Sequence, residues 1–428
     1  MTTIDELYEF RRFSASGSEV DDHTRGWLQA DAQGFHAKSY TEESLSRVSA
    51  GLVTDAQTLT GAYARSRQDS SLGAEYPVAT FASFAKSLTV GGGRMLPAHL
   101  ISAVTVRPTH RRRGLLRRMM TDNLATAAAD GFAVAALTAS EASIYRRFGF
   151  GPAVWHHAVS LKTDAGFRLL TVPTGSADWA HAKDLAEIGP RIFERFHTAQ
   201  PGSVDRHVGI WQHITGLADN DGQEDRSIRA ALHYDEAGEV DGYVSYRFSG
   251  WETEKRAVKV VDFVAADDNA ALGLWQYLAS IDLVDTVTWN MGRSDEPLAW
   301  ALDDPRRLTV TGVDDWLWLR ILDVPQALEA RPYSADGELV LRVTDELGHA
   351  SGVFRLAVTD GVAQVTTDDR ARPNLELDAW VLGSLYLGGA DPVSVAAGGQ
   401  LVERTPGAVA ALRTLLAADR PVYGITPF

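Results

Sequence analysis

Cysteine is absent from the sequence, which removes disulfides, cysteine-ligated zinc and thiol nucleophiles together, and with them the usual scaffold of a small secreted domain. Long apolar runs are missing as well. The opening residues, MTTIDELYEFRRF, carry no apolar core behind a basic start, so no signal peptide is expected, and no stretch reaches membrane-spanning length. Positive charge is in deficit, with 41 Lys+Arg against 56 Asp+Glu and a formal net charge of −15. Such a surface repels nucleic acid and anionic membranes and attracts cationic molecules. A cytoplasmic protein with no nucleic-acid or membrane partner is expected.

What is present is an ordinary globular composition, 45% hydrophobic and 23% charged, over 428 residues. That length exceeds one compact core and fits two or three domains, of which three is the better fit. The pattern is α/β (α+β), with boundaries placed at 1–160, 161–322 and 323–428. In the first region, residues 77–88 alternate like a half-buried strand, three glycines at 91–93 punctuate it, and 100–106 forms a second strand that Pro108 ends. Residues 115–129 have helical spacing up to Gly131, and 132–138 reads as a buried strand. The middle region restarts with strand-like 167–172, turns a hairpin at 236–238, and repeats strand (258–264) and helix (270–281) in the same order as the first. Its turn, AADDNAA, holds two carboxylates where the first region has arginines, so an anion is not expected there. From residue 324, short strands and Asp-Gly turns open a third region.

The segment VTVRPTHRRRGLLRRMM (104–120) places an arginine- and glycine-rich turn between a strand and a helix. Backbone N–H groups and the positive end of the helix dipole converge there, as a pyrophosphate requires, and Gly114 lets the ligand approach. The arginine run alone fits a solvated basic turn equally well. Strand, R-R-x-G turn and helix together resemble the acyl-CoA signature of the GNAT superfamily. That resemblance implies that the backbone of Val104, Thr105 and Val106 holds pantetheine and the acetyl carbonyl, and that Arg112, Arg113, Gly114, Leu115, Leu116 and Arg117 hold the pyrophosphate.

The stretch ASEASIYRRFGFGPA, with LWLRILDVPQALEAR and LGSLYLGG further on, narrows the resemblance to the Eis-like N-acetyltransferases. It implies two tandem GNAT-like domains, the second without cofactor, followed by a sterol-carrier-protein-like domain. It further implies a homohexamer, acetyl-CoA as cosubstrate, and as acceptor a polyamine such as an aminoglycoside, or protein lysines. By this resemblance Tyr145 is the general acid toward the departing CoA thiolate, a role suited to a phenol that stays protonated at neutral pH. Ser140 and Glu141 line the CoA or acetyl site, although Ser140 also suits an N-cap of the helix carrying Tyr145. The general base implied is the terminal carboxylate of Phe428, delivered by the third domain. Pro427 stands before it where the family carries an acidic residue. Without the resemblance, spacing singles out no Asp or Glu of the first region as base.

Other constellations carry less. His156 and His157 alternate on a strand and face opposite sides, and His207 and His213 lack the spacing of a helical zinc pair, so no metal site is expected. All four read as surface or hydrogen-bonded residues, and Trp300, Trp316 and Trp318 as core or domain contacts. The alternative functional class is a lipid carrier with a vestigial acetyltransferase domain.

Overall fold

A computed structural model describes residues 3–68, 72–219, 222–249 and 256–428. The first part runs α1 (Ile4–Leu7), β1 (Tyr8–Ser14), α2 (Asp22–Gly34), α3 (Glu42–Thr54), β2 (Thr58–Ala64), β3 (Ala79–Gly91), β4 (Arg94–Val106), α4 (Leu115–Ala129), β5 (Val134–Thr138), α5 (Ala142–Tyr145) and β6 (Gly151–Pro152). Helices α2 and α3 start where Asp21 and Thr41 side chains accept N–H groups of the first turn. The glycine turn at 91–93, all at positive φ, closes β3 onto β4. Helix α4 buries Leu115, Met119, Met120, Leu124 and Ala127 on one face, the helical spacing expected from sequence. Asn123 pins it to the sheet, its Oδ1 accepting from His99 Nε2 at 2.7 Å and its Nδ2 donating to the Ser83 hydroxyl at 2.9 Å.

The middle part comprises β7 (Trp155–Lys162), β8 (Ser176–Ala180), α6 (Leu185–Ala199), α7 (Val208–Ile214), β9 (Arg229–Tyr234), β10 (Val240–Ser249), β11 (Ala257–Ala265), α8 (Asp268–Ala279), β12 (Thr286–Gly292), α9 (Leu298–Ala301) and β13 (Leu308–Asp315). The predicted hairpin is β9–β10, whose turn is held by Asp235 accepting the N–H groups of Ala237 and Glu239. Two expectations need correction. Residues 167–172 form an irregular segment with a single bridge, Leu169 to Leu302, because the neighbouring chain there is the end of a short helix and offers no strand to pair with. Trp300 is 88% exposed, since α9 turns Leu298 and Ala301 inward instead. Trp318 is buried as expected, and Trp316 packs against the core.

Strand β14 (Leu317–Ile321) follows, and then α10 (Val324–Ala330), β15 (Gly337–Thr344), β16 (Gly352–Thr359), β17 (Val362–Thr367), β18 (Leu375–Asp378), α11 (Ala379–Leu385), α12 (Pro392–Ala397), β19 (Leu401–Glu403) and α13 (Ala408–Leu415). Three sheets result, ordered β1-β2-β3-β4-β5-β14-β6, β13-β7-β12-β11-β10-β9-β8 and β17-β16-β15-β18-β19. The first two exchange strands: β7 joins the second sheet directly after β6, and β14 returns to the first, between β5 and β6. The third part shares a continuous apolar core with the first, in which Leu100 and Val134 meet Leu382 and Leu385 in one cluster. Arg331, only 2% exposed, is neutralised by two helix ends, donating to the Tyr386 carbonyl after α11 and the Leu416 carbonyl after α13.

Candidate active site

The site begins with a break in pairing. Strands β4 and β5 run parallel from Ala98↔Val134 to Ile101↔Leu137 and then separate. The cause lies on the other side of β4, where the register against β3 shifts between Thr80 and Ala82 and Ala103 adopts φ +52°. Thr80 fixes this bulge by donating its hydroxyl to the Ala103 carbonyl at 2.9 Å. The backbone of Val104, Thr105 and Val106 is thereby turned away from β5, opening a wedge. A cleft of about 370 Å³ occupies it, walled by Ser102–Val104, Thr138–Ser140, Tyr145, Trp316, Asp31, Phe35 and Phe428.

At the far end of β4 the chain enters the arginine turn. Arg112 lies at φ +62° and Gly114 at +85°, a left-handed pair that directs successive N–H groups toward one side. Gly114 is the N-cap residue of α4, and no side chain caps that helix. Its first-turn donors are therefore free of side-chain acceptors, unlike those of α2 and α3. Arg111, Arg112, Arg113 and Arg117 are all exposed around this end. Arg113 donates to the Tyr8 hydroxyl and the Thr109 carbonyl, which braces the turn. Leu115 is buried beneath it and Leu116 half-buried. Cationic side chains, uncapped amides and a helix dipole of matching sign are the features that could receive a diphosphate.

Tyr145 ends α5, with its ring 6% exposed and edge-on to Phe150. Its hydroxyl hydrogen-bonds with the Ser140 side chain, and burial pushes the phenol above its usual range. Ser140 is not the N-cap of α5. Glu141 holds that position, without a side-chain cap bond, so Ser140 is left to face Tyr145. Both Ser140 and Glu141 are exposed, and of the two Ser140 lines the cleft.

Phe428 reaches the same cleft from the other end of the chain. Thr138 donates to a terminal oxygen of Phe428 at 2.5 Å, and the Phe428 ring meets Phe84 edge-on at 6.3 Å. The preceding residues are tied down throughout. Thr426 donates to the Val204 carbonyl at 2.7 Å, and His207 and His156 contact the Pro427 and Gly424 carbonyls through Nε2. Both histidines lie below their usual pKa range because burial disfavours the cation, His156 at about 4. They are hydrogen-bonded, as sequence implied, but neither is a surface residue in function: they hold the tail.

One acidic residue in the cleft escaped the sequence reading. Asp31 projects from α2, and burial raises its carboxyl to about 7 against a weak hydrogen bond from Thr80 at 3.4 Å. Helix α2 lies close enough because of Gly34, where a Cβ would come within 2.6 Å of Thr105. The legible signal was the pair Asp31 and Gly34 on one turn of a helix, which had no local partner to give it meaning. Phe35, 50% exposed, stands beside it at the mouth.

The second sheet has the same break, β11 pairing β12 in parallel only from Ala257↔Thr286 to Lys259↔Thr288. Here the following helix α8 is capped by Asp267, whose carboxylate accepts the Ala270 N–H, with Asp268 beside it. A carboxylate thus already occupies the place an anion would take. Behind it, buried Arg206 is locked to Asp262 and Tyr243. Among the described residues no group of three His, Asp or Glu side chains is arranged to hold a metal ion.

Family models agree with this geometry. An acetyltransferase (GNAT) domain model matches residues 21–153, a second GNAT model matches 202–321, and a sterol carrier protein domain model matches 324–424. The N-acetyltransferase Eis of Mycobacterium tuberculosis is 35% identical over 78% of this chain and 82% of its own. The chain belongs to the Eis-like family of GNAT N-acetyltransferases. An uncharacterized N-acetyltransferase of Streptomyces avermitilis is 39% identical over 92% of this chain and 93% of its own. Among solved structures, Eis1 from Mycobacterium abscessus superposes with a TM-score of 0.72 at 30% identity, covering 86% of this chain and 90% of that one. A GCN5-related N-acetyltransferase from Anabaena variabilis shares the fold, with a TM-score of 0.80 at 22% identity over 98% and 100%. This Eis-like protein is therefore an acyltransferase built from two tandem GNAT domains and a sterol-carrier-like domain.

Proposed function

We propose that this Eis-like enzyme transfers acetyl from acetyl-CoA to a primary amine of a polycationic small molecule, aminoglycoside-like in chemistry, by direct attack. The observation that carries the reading is the convergence of Tyr145 and the Phe428 carboxyl group on one cleft. Acetyl-CoA supplies the acetyl group as a thioester. Val104, Thr105 and Val106 present backbone groups to its pantetheine arm, and the turn from Arg112 to Arg117 receives its diphosphate. The Phe428 carboxylate, held in place by Thr138, takes a proton from the acceptor ammonium before attack or from the neutral amine as it adds to the thioester carbonyl. Tyr145 gives its phenolic proton to the departing sulfur, which its raised pKa keeps available at neutral pH. Ser140 orients that hydroxyl.

Asp31 and the formal charge of −15 favour a cationic acceptor. No cysteine is available for an acyl-enzyme. The capped N-terminus of α8 supports a second domain without coenzyme, and the sterol-carrier-like domain then serves to carry the tail. Protein lysine is the second acceptor class, and a homohexamer of cytoplasmic location is the assembly implied by the family. Mass spectrometry of an amine panel incubated with acetyl-CoA tests the reading: acetyl groups should accumulate on polyamines in preference to a lysine-rich peptide. The wild-type chain should lose activity, while keeping its fold, when two glycines are appended after Phe428. Full activity of that extended chain would remove the terminal carboxylate from the mechanism.

A further inference from the structure

The last residues of the chain do more than reach the first domain. Residues 421–426 pass along the second domain on the way: Val422 packs into the core shared by the first and third parts, whereas Tyr423 and Ile425 belong to the apolar core of the second. Tyr423 is 2% exposed. Its ring lies edge-on to Phe196 and His156, and its hydroxyl donates to the Met291 carbonyl on β12, one edge of the unpaired wedge in the second sheet. The backbone is matched as closely: the Tyr423 N–H donates to the Pro201 carbonyl at 2.8 Å, and Gln200 donates to that of Pro421 at 2.8 Å. A Cβ on Gly424 would stand 2.4 Å from the Gly202 carbonyl oxygen, so only glycine lets the tail pass over the 200–207 loop. Beyond it, His207 reaches the Pro427 carbonyl at 3.1 Å and packs edge-on against Phe84, the ring that also meets Phe428.

We infer that the second GNAT domain is the receptor for the chain's own tail, and that His207 and Tyr423 are positioning residues for the Phe428 carboxylate, Tyr423 anchoring the tail and His207 setting the register of its last peptide. The inference rests on the proposal that this carboxylate is the general base. It explains why a domain with a capped, acid-bearing helix where a coenzyme would bind keeps a splayed sheet: the strand edge freed on β12 is an acceptor for the tail. Neither residue lines the cleft itself. A displacement of about 1 Å at a reacting group costs on the order of 10²-fold in rate.

The test uses the full-length chain with substitutions His207→Leu, His207→Gln and Tyr423→Phe, each assayed for kcat, KM of the amine, acetyl-CoA affinity by calorimetry, and melting temperature. His207→Leu should lower kcat by about 10²-fold with acetyl-CoA affinity unchanged, and His207→Gln, which restores an N–H donor, should recover most of that loss. Tyr423→Phe should lower kcat several-fold, again without change in acetyl-CoA affinity. Wild-type kcat in a folded His207→Leu variant overturns the inference. Should that variant fail to fold, Tyr423→Phe decides, since it removes one oxygen only, and a wild-type kcat there overturns it equally. The extended chain with two added glycines separates the two layers: if it is inactive while the substitutions are silent, the base stands and the receptor role falls. If the extended chain is fully active, the base proposal falls first.

Discussion

Thr138 and Phe428, separated by 290 positions in sequence, share a hydrogen bond in which the Thr138 hydroxyl donates to a terminal oxygen of Phe428. The bond joins the end of β5, where the first sheet opens, to the end of the tail that crosses the second domain. Thr138→Val keeps the shape and deletes the donor. A hydrogen bond to a charged group is worth about 1.5–3 kcal/mol, so kcat should fall by roughly tenfold or more at unchanged acetyl-CoA affinity. Steady-state kinetics with both substrates varied will show this, and an unaltered kcat would mean that Phe84 and His207 hold the carboxylate unaided.

Tyr145→Phe removes the phenolic hydroxyl, and with it the transferable proton and the bond to Ser140. The ring contact with Phe150 survives, so acetyl-CoA should still bind, while kcat drops by about 10²–10⁴-fold, the usual weight of a general acid. Calorimetry alongside turnover measures both halves of this expectation.

Arg112→Glu sets a carboxylate at the uncapped start of α4, making the first GNAT domain resemble the second, where Asp267 caps α8. Acetyl-CoA affinity should weaken by tenfold or more, about 1.4 kcal/mol, with little change in melting temperature. The exposed side chain makes this substitution benign to the fold. Equal affinity of the two proteins would move the diphosphate elsewhere.

Asp31 gives the cleft a pH dependence whose sign follows from its raised pKa. In the folded protein it keeps a proton up to about 7, whereas its ordinary value is 3.8. Its contribution to stability is therefore complete below the ordinary value and is lost as pH rises toward 7. Asp31→Asn should flatten that part of the stability curve in chemical denaturation. The ionised form is the one that attracts a cationic amine, so KM for the acceptor should fall between pH 6 and 8 in the wild type more steeply than in Asp31→Asn. Parallel KM profiles for the two would leave Asp31 without a role in acceptor binding.

Arg320 and Asp345 tie the first sheet to the third domain through a pair exposed by 0% and 2% at the side chains. Burial works against the Asp345 carboxylate, but the Arg320 guanidinium and the N–H groups of Ala350 and Leu347 outweigh it and hold its pKa below the usual range. Stability from this group is present above its unfolded pKa and lost as pH falls. Asp345→Ala leaves Arg320 buried without a counter-charge and should cost about 3–5 kcal/mol, read as a lower denaturant midpoint. A loss below 1 kcal/mol would show that the guanidinium finds other acceptors.

Local signals carried the first domain well. The strand, arginine turn and helix from Val104 to Arg117 were readable because each element announces itself within a few residues, by alternation, by Gly114 and by helical spacing. Asp31 was not readable, since what makes it matter is a strand about 70 positions later that buries it. His207 and Tyr423 were invisible for the same reason, their partners lying 220 and 132 positions away. Trp300 misled because tryptophan is usually buried, and only the orientation of the four-residue helix α9 turns it outward. Residues 167–172 misled because a β-rich composition does not create a neighbouring strand to pair with.

The exchange of β7 and β14 between the two GNAT sheets bears on how the molecule comes into being. Residues up to Pro152 provide six of the seven strands of the first sheet, but β5 gains its outer neighbour only when residues 317–321 have emerged from the ribosome. Until then the Val134–Thr138 edge, made of small and apolar side chains, has one side of its backbone unpaired. The first GNAT domain is thus not a separable cassette in biosynthesis: a cut between the two GNAT models would leave β14, an inner strand of the first sheet, in the other fragment, so the first sheet can close only once the second domain has been made.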